Sequence, residues 1–344
     1  MRYRFYTRST KAWTAMLAAI GTARESIYLE MYTFHHDIAG FDFLSELKRK
    51  AREGVRVVVI LDALGSFGFT PVLVDQLRSA GAEVLFFSYW FRRTHRKILI
   101  VDETIAFLGG VNISSQSALW NDLQLRISGK KVVRHILHSF ARIYRECGGK
   151  NPVLKERGRP RLLRKARLWF IEHGVVGKRS VLRLHYEQHI DTATRSIVLV
   201  TPYFIPHRWL ISCLHRAIVR GVAVEIIVPQ FTDYKIVDRV NYYYFDLFTK
   251  LGAKCFLNNE MNHAKALLID EEKGMVGSHN IDALSFNWNV ESGLFFEDPR
   301  MVADLERIIE EWKKHSVLFS VTQHPPRWHD RIFAILLRIF QPVL

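Results

Sequence analysis

The chain has 344 residues, 49% of them apolar, enough to bury one large core or two of ordinary size, which excludes a disordered or fibrous protein. Its 49 Lys and Arg against 34 Asp and Glu leave a charge of +15, which favours a polyanionic partner: nucleic acid, an anionic membrane or a phosphate-bearing substrate. Three widely spaced cysteines, Cys147, Cys213 and Cys255, form no Cys-x-x-Cys pair to suggest zinc, redox chemistry or a disulfide framework, and a reducing compartment fits best.

The first residues, Met1 to Ala23, combine basic residues with a short apolar run, Ala15–Ile20, that resembles a weak signal peptide; the repeat that follows assigns them to the fold instead. Ile20-Gly-Thr-Ala-Arg-Glu-Ser-Ile27 is echoed by Ile190-Asp-Thr-Ala-Thr-Arg-Ser-Ile197, and each reads as a helix end running into a buried strand. Gly54-Val-Arg-Val-Val-Val-Ile60 and Gly221-Val-Ala-Val-Glu-Ile-Ile227 are β-branched runs behind helical stretches at Phe43–Glu53 and Leu210–Arg220, with glycine as the helix stop. Gly81–Phe87 and Gly252–Asn258 repeat the pattern once more. Strand and helix alternate, which predicts an α/β fold of two pseudo-symmetric lobes, each a mixed β-sheet flanked by helices. The expected divisions are residues 1–128, a basic helical connector at 129–179 with no counterpart in the other copy and set over the active-site mouth, residues 180–322, and an amphipathic C-terminal helix at 323–344.

The strongest signal is His95-Arg-Lys97-Ile-Leu-Ile-Val-Asp102, six residues, then Gly109-Gly110-Val-Asn112, repeated as His263-Ala-Lys265-Ala-Leu-Leu-Ile-Asp270, six residues, then Gly277-Ser278-His-Asn280. A single His-x-Lys in a basic protein means little; two copies with one spacing mark a site. Histidine and lysine two apart on a strand project to the same face, so both reach one phosphate. A phosphodiester is anionic and resists attack, so its cleavage needs charge neutralisation, a nucleophile and a proton donor for the leaving alkoxide. Two histidines divide the last two roles.

These motifs resemble the signature of the phospholipase D superfamily, H-x-K-x4-D-x6-G-[GS]-x-N, over residues 20 to 300. The resemblance implies one site built from both motifs, a phosphohistidine intermediate with His95 as nucleophile and His263 as acid, and no metal or other cofactor. It implies that Lys97 and Lys265 hold the phosphate oxygens with Asn112 and Asn280, that Ser278 and Ser285 are lesser phosphate contacts, and that Asp102 and Asp270, though part of the catalytic signature, support the fold. Asp122 and Glu291, ten and eleven residues after their asparagines, are the carboxylates expected to orient the histidine rings.

Leu29-Glu-Met-Tyr-Thr-Phe34 with Asp37 and Gly40, Leu61-Asp-Ala-Leu-Gly-Ser66, and Thr201-Pro-Tyr-Phe-Ile-Pro206 ahead of Arg220-Gly-Val are similar to bacterial cardiolipin synthases, of a short form without N-terminal spanning segments. That resemblance implies a phosphatidyltransferase acting on an anionic phospholipid, phosphatidylglycerol, with release of glycerol. It also implies peripheral attachment to the cytoplasmic face of a bacterial inner membrane and no obligatory nucleic acid. A phospholipase D-type hydrolase, a nuclease, and a catalytically silent scaffold are the competing readings. In the C-terminal segment Arg327, Arg331 and Arg338 form one ridge, while Trp328, Ile332, Phe333, Ile335, Leu336, Ile339 and Phe340 cover the opposite face, a pattern suited to a helix lying in a lipid interface.

Overall fold

The computed structural model describes residues 1–36, 38–155, 167–174, 180–325 and 327–340, the side chains of 337–340 excepted. Asp37, parts of the expected connector and the side chains of Arg338, Ile339 and Phe340 lie outside that description. Two compact units result: Met1–Lys165 with Val290–Ser292, and Ala166–Asn289 with Gly293–Leu344.

The first unit carries strands β1 (Arg2–Arg8), β2 (Ser26–Met31), β3 (Arg56–Asp62), β4 (Glu83–Phe87), β5 (Lys97–Val101), β6 (Ile105–Gly109) and β7 (Asn121–Ser128) in one mixed sheet of order β1-β7-β6-β5-β2-β3-β4. Strands β2, β3 and β4 run parallel and the remaining pairs antiparallel. Both faces are covered, which is why the strands read as unbroken apolar runs. Odd-numbered Ile27, Leu29, Val57, Val59, Leu99 and Val101 pack with Trp13 and Met16 of α1 (Ser9–Gly21), Leu47 of α2 (Phe43–Arg52) and Leu77 of α3 (Pro71–Ser79). On the other face Tyr28 meets Phe140 of α4 (Lys130–Glu146), ring centroids 5.5 Å apart. A single turn, α5 (Pro152–Lys155), follows.

The second unit repeats the plan with β8 (Leu168–His173), α6 (Val181–Asp191), β9 (Ser196–Val200), α7 (Arg208–Val219), β10 (Ala223–Pro229), α8 (Lys235–Leu251), β11 (Lys254–Asn258), β12 (Ala266–Ile269), β13 (Lys273–Gly277), α9 (Ala283–Asn287), β14 (Glu291–Phe296), α10 (Pro299–Lys314), β15 (Ser316–Leu318) and α11 (Trp328–Phe340). Its sheet order, β15-β11-β10-β9-β12-β13-β14-β8, is the first order plus the edge strand β15. Each helix stop expected at Gly54, Gly81, Gly221 and Gly252 has positive φ, from 85° to 103°, the left-handed conformation that a glycine after the last turn supplies at least cost.

The segment expected to be a connector divides differently. Its helix α4 buries Val133, Ile136, Leu137, Phe140, Ile143 and Tyr144 on the first sheet. It also has a counterpart, since α10 follows the last motif strand of the second unit in the same way and buries Met301, Val302, Leu305, Ile309 and Trp312. Strand β8 belongs to the second sheet. The C-terminal helix also departs from the simple two-faced pattern. Asp330 and Ala334 are buried and Phe333 packs on the second core, with Arg239 of α8 paired to Asp330 at 2.5 Å. Trp328, Ile332, Ile335 and Leu336, spaced to form one stripe, stay exposed. Among the described residues no helix is long and apolar enough to cross a membrane.

Candidate active site

Each motif begins where a sheet strand starts. In the first unit Lys97 pairs with Met31, and Met31 with Leu61, so His95 stands at the end of the sheet where β2, β3 and β4 finish. The backbone of His95 donates to the carbonyl of Val290 at 2.9 Å, and Val290 donates to Arg93 at 2.7 Å. This short bridge sets Glu291 beside the imidazole: His95 Nδ1 lies 3.1 Å from Glu291 Oε1, with both side chains buried. An ionised carboxylate only accepts, so one at this position favours the imidazole tautomer that carries its proton on Nδ1. The ring of Tyr32 stands edge-on to His95, centroids 4.7 Å apart, and faces the Lys97 ammonium at 5.0 Å. Lys97 Nζ donates to the His95 carbonyl at 2.6 Å, so cation and imidazole are tied together.

The residues either side of His95 are anchored away from it. Arg96, wholly buried, donates to Glu30 Oε2 at 2.5 Å and to Ser139 Oγ on α4 at 2.6 Å. Thr94 donates its hydroxyl to Glu30 Oε1 at 2.5 Å and its amide to Asp62 Oδ2 at 2.8 Å. Burial raises the pKa of Asp62 even though the amides of Gly65, Thr94 and Leu64 stabilise its anion.

In the second unit His263 and Lys265 are buried, and Lys265 Nζ donates to the His263 carbonyl as Lys97 does to His95. Tyr203 takes the place of Tyr32, its ring 6.4 Å from that of His263 and its hydroxyl donating to Asp233 at 2.6 Å. Burial pushes the Tyr203 phenol well up and also raises Asp233, whose proton-free form the Tyr203 hydroxyl and the Lys265 charge favour.

The side-chain oxygens of Asn112 and Asn280 are buried with no hydrogen-bond partner among the described residues. Asn280 is fixed through its backbone, which donates to Ser285 Oγ at 3.0 Å, while Asp282 caps α9 through the Ser285 amide at 2.7 Å. Ser285 thus serves as scaffold; Ser278, two residues before Asn280, is fully buried. Asp122 is fully buried too, and a Cβ on Gly110 would lie 2.2 Å from its Oδ1, so the second glycine of the first motif makes room for this carboxylate.

Asp102 and Asp270, grouped with the catalytic residues by the signature, are not brought to the histidines. Each sits beyond the opposite end of its motif strand, across five residues in β5, or roughly 17 Å. Asp102 and Glu103 have φ of 48° and 52°, Asp270 and Glu271 54° and 56°, the two left-handed positions of a tight hairpin turn, which aspartate tolerates better than most residues. The Asp102 carboxylate accepts from the amides of Arg24, Glu25 and Ser26 at 2.8 to 3.1 Å. Asp270 does the same for Thr194, Arg195 and Ser196. Burial raises the Asp270 pKa, but these amides outweigh it and hold the carboxyl below its usual range.

Sequence reasoning named Glu291 but not that it serves the histidine of the other motif copy, because a place eleven residues after Asn280 permits either pairing. It also passed over the Glu30–Arg96 pair, although Glu30 lies within the quoted Leu29–Phe34 stretch.

The family model described as "Cardiolipin synthase, PLD-like domain" matches residues 16–144 and 186–313, α4 and α10 included. A cardiolipin synthase of Geobacillus kaustophilus is 28% identical across 98% of this chain and 71% of its own length. Cardiolipin synthase A of Pseudomonas putida is 30% identical across 96% of this chain and 72% of its own. Among solved structures, the phosphatidylserine synthase of Haemophilus influenzae has the same fold, with a TM-score of 0.77 at 16% identity over 99% of this chain and 94% of its own. With two complete motifs on two like sheets, the chain belongs to the cardiolipin synthase family of the phospholipase D superfamily, and is a phosphatidyltransferase.

Proposed function

We propose that His95 and His263 act on a single phosphodiester and that the chain transfers a phosphatidyl group from one phosphatidylglycerol to another through a phosphohistidine. The observation that carries this reading is the His95–Glu291 pair at 3.1 Å: the carboxylate holds the proton on Nδ1 and leaves Nε2 as nucleophile, and it comes from the second motif copy in sequence while serving the first. The cardiolipin synthases among the relatives support the choice of lipid.

In the first half-reaction His95 Nε2 attacks phosphorus, a P–N bond forms and the P–O bond to the headgroup breaks. His263, protonated, gives its proton to the leaving oxygen, and glycerol departs. In the second, a headgroup hydroxyl of another phosphatidylglycerol attacks the same phosphorus and passes its proton to His263, the P–N bond breaks, and cardiolipin leaves. One phosphodiester is exchanged for another, so no nucleotide is consumed. Lys97 and Lys265 neutralise the charge that builds on the non-bridging oxygens, and the amide NH2 groups of Asn112 and Asn280 donate hydrogen bonds to them.

The site of action in this reading is the cytoplasmic face of a bacterial inner membrane, with peripheral attachment. A charge of +15, unbridged cysteines and the exposed Trp328, Ile332, Ile335 and Leu336 stripe on α11 support it.

The test is incubation of purified protein with phosphatidylglycerol vesicles and chromatography of the lipids. Cardiolipin and glycerol in equal amounts is the expected result. Phosphatidic acid in place of cardiolipin would assign the chain to hydrolysis, and cleavage of DNA without lipid turnover would overturn the lipid reading.

A further inference from the structure

Five of the exposed large apolar side chains of the first unit gather at one end of its sheet. Leu64 and Phe67 lie on the loop leaving β3, Trp90 and Phe91 on the loop leaving β4, and Leu119 on the loop between β6 and β7. The register puts all three loops at the His95 end, since Asp62 pairs with Phe87, Leu61 and Lys97 both pair with Met31, and Gly109 pairs with Gln124. Phe67, Trp90 and Leu119 are 85%, 89% and 84% exposed, close to the accessibility of an unfolded chain. Side chains of this size in a cluster at one edge mark a contact surface.

The Trp90 loop is held in shape. Arg93 Nη1 donates to the carbonyls of Tyr89 at 2.5 Å and Trp90 at 3.2 Å, so the indole is presented outward from a braced backbone. An open cleft of about 330 Å³ separates this loop from the β3 loop, lined by Leu64, Phe87, Tyr89 and Trp90 with Asp62 and Arg93. Behind the tip Arg92 and Arg93 are partly exposed, Arg92 paired with Glu146 at 2.6 Å and Arg93 bracing the loop, while Arg96 and Lys97 are buried. An apolar tip carrying tryptophan, with these two arginines behind it on a chain of charge +15, complements an anionic bilayer. The second unit carries the same feature at its own motif end, with Phe231 and Tyr234 exposed on the loop after β10.

We propose that the loops bearing Phe67, Trp90 and Leu119 are a lipid-inserting edge that seats the His95 end of the first unit in an anionic membrane surface. The donor lipid then reaches the histidine with its acyl chains still in the bilayer. This rests on the phosphatidyltransfer reading for its purpose, but the surface is tested separately.

The experiment compares full-length protein with Phe67→Ser, Trp90→Ser and Leu119→Ser combined. It measures sedimentation with vesicles of phosphatidylglycerol and phosphatidylethanolamine, and turnover of a short-chain phosphatidylglycerol below its micellar concentration. The expected result is at least a tenfold loss of vesicle binding with soluble-substrate turnover within twofold of the parent. Undiminished vesicle binding overturns the proposal, and loss of self-association in its place would assign the patch to a second copy of the chain. Should the triple variant fold poorly, brominated-lipid quenching decides: the fluorescence difference between the parent and Trp90→Phe is quenched in brominated vesicles if Trp90 inserts, and unquenched if it does not. Absence of turnover on both substrates by the parent would sink the functional reading and leave the vesicle comparison to judge the surface.

Discussion

Replacing Arg96 by methionine should unfold the first unit more easily than any exposed arginine change, and the reason can be followed atom by atom. The guanidinium is wholly buried, pairs with Glu30 at 2.5 Å and donates to Ser139 at 2.6 Å. Its removal strands the Glu30 carboxylate in the sheet interior, and breaking one partner of a buried pair costs roughly 3–5 kcal/mol. Replacing Glu30 by leucine alone strands Arg96 and costs a similar amount. Replacing both removes the two charges together and leaves the Thr94 and Ser139 hydroxyls short of a partner, at about 1 kcal/mol each. The double variant should therefore be destabilised by only about 2 kcal/mol, well under the sum of the singles. Urea titrations of the four proteins measure this cycle. Because Thr94 and Arg96 flank His95 and both lean on Glu30, the single variants should also lose turnover. A double variant as unstable as the two singles added together would refute the claim that these residues act as one buried unit.

Glu291→Gln keeps the shape beside His95 and removes the charge that fixes its tautomer, so kcat should fall by about 10²- to 10⁴-fold while thermal stability changes little; near-normal kcat would mean the pair at 3.1 Å has no part in the chemistry. Asp102→Ala should act on the fold, since it loses the acceptor for the Arg24, Glu25 and Ser26 amides and puts alanine at φ 48°. The expected cost is about 3 kcal/mol, with asparagine recovering part of it, and calorimetry distinguishes this from a catalytic defect. Acid should weaken the second unit through His185 and His189. Burial, with His189 and His279 nearby, pushes His185 down to about 3, and burial with Lys273 nearby pushes His189 down to about 4, both from 6.5. Below pH 6.5 the unfolded chain takes up these protons and the folded one does not, so stability is full above that pH and falls towards pH 4. The slope is about 1.4 kcal/mol per pH unit for each proton. His185→Phe should flatten that slope in urea titrations between pH 4 and 6.5; an unchanged slope would remove His185 from the account.

The duplicated motifs and the paired strands were legible because their signals are local: a β-branched run behind a glycine, a fixed count from histidine to asparagine. The strand β1 was not, since Arg2-Tyr-Arg-Phe-Tyr-Thr-Arg8 alternates basic and aromatic residues and its charges read as an N-terminal flank. Helix α4 was mistaken for a connector because its exposed face is so basic. Its buried residues at 133, 136, 137, 140, 143 and 144 keep helical spacing and were the available signal. The Glu291–His95 pair spans 196 residues, and a carboxylate that follows each asparagine by ten or eleven residues carries no information on which histidine it serves. That Asp102 supports the fold was legible from the resemblance, but its partners were not, as the amides it binds, at 24 to 26, precede it by the length of four strands and the helices between them.

The central claim is that a histidine of this chain takes the phosphatidyl group covalently. The most direct measurement mixes protein with phosphatidylglycerol labelled at phosphorus, quenches in alkali within the first turnovers and maps the label by mass spectrometry. An alkali-stable, acid-labile adduct on His95 is expected in the parent, forming more slowly in His263→Ala, which lacks the acid for the leaving oxygen, and none in His95→Ala. Cardiolipin formation with no adduct in any of the three proteins would contradict it.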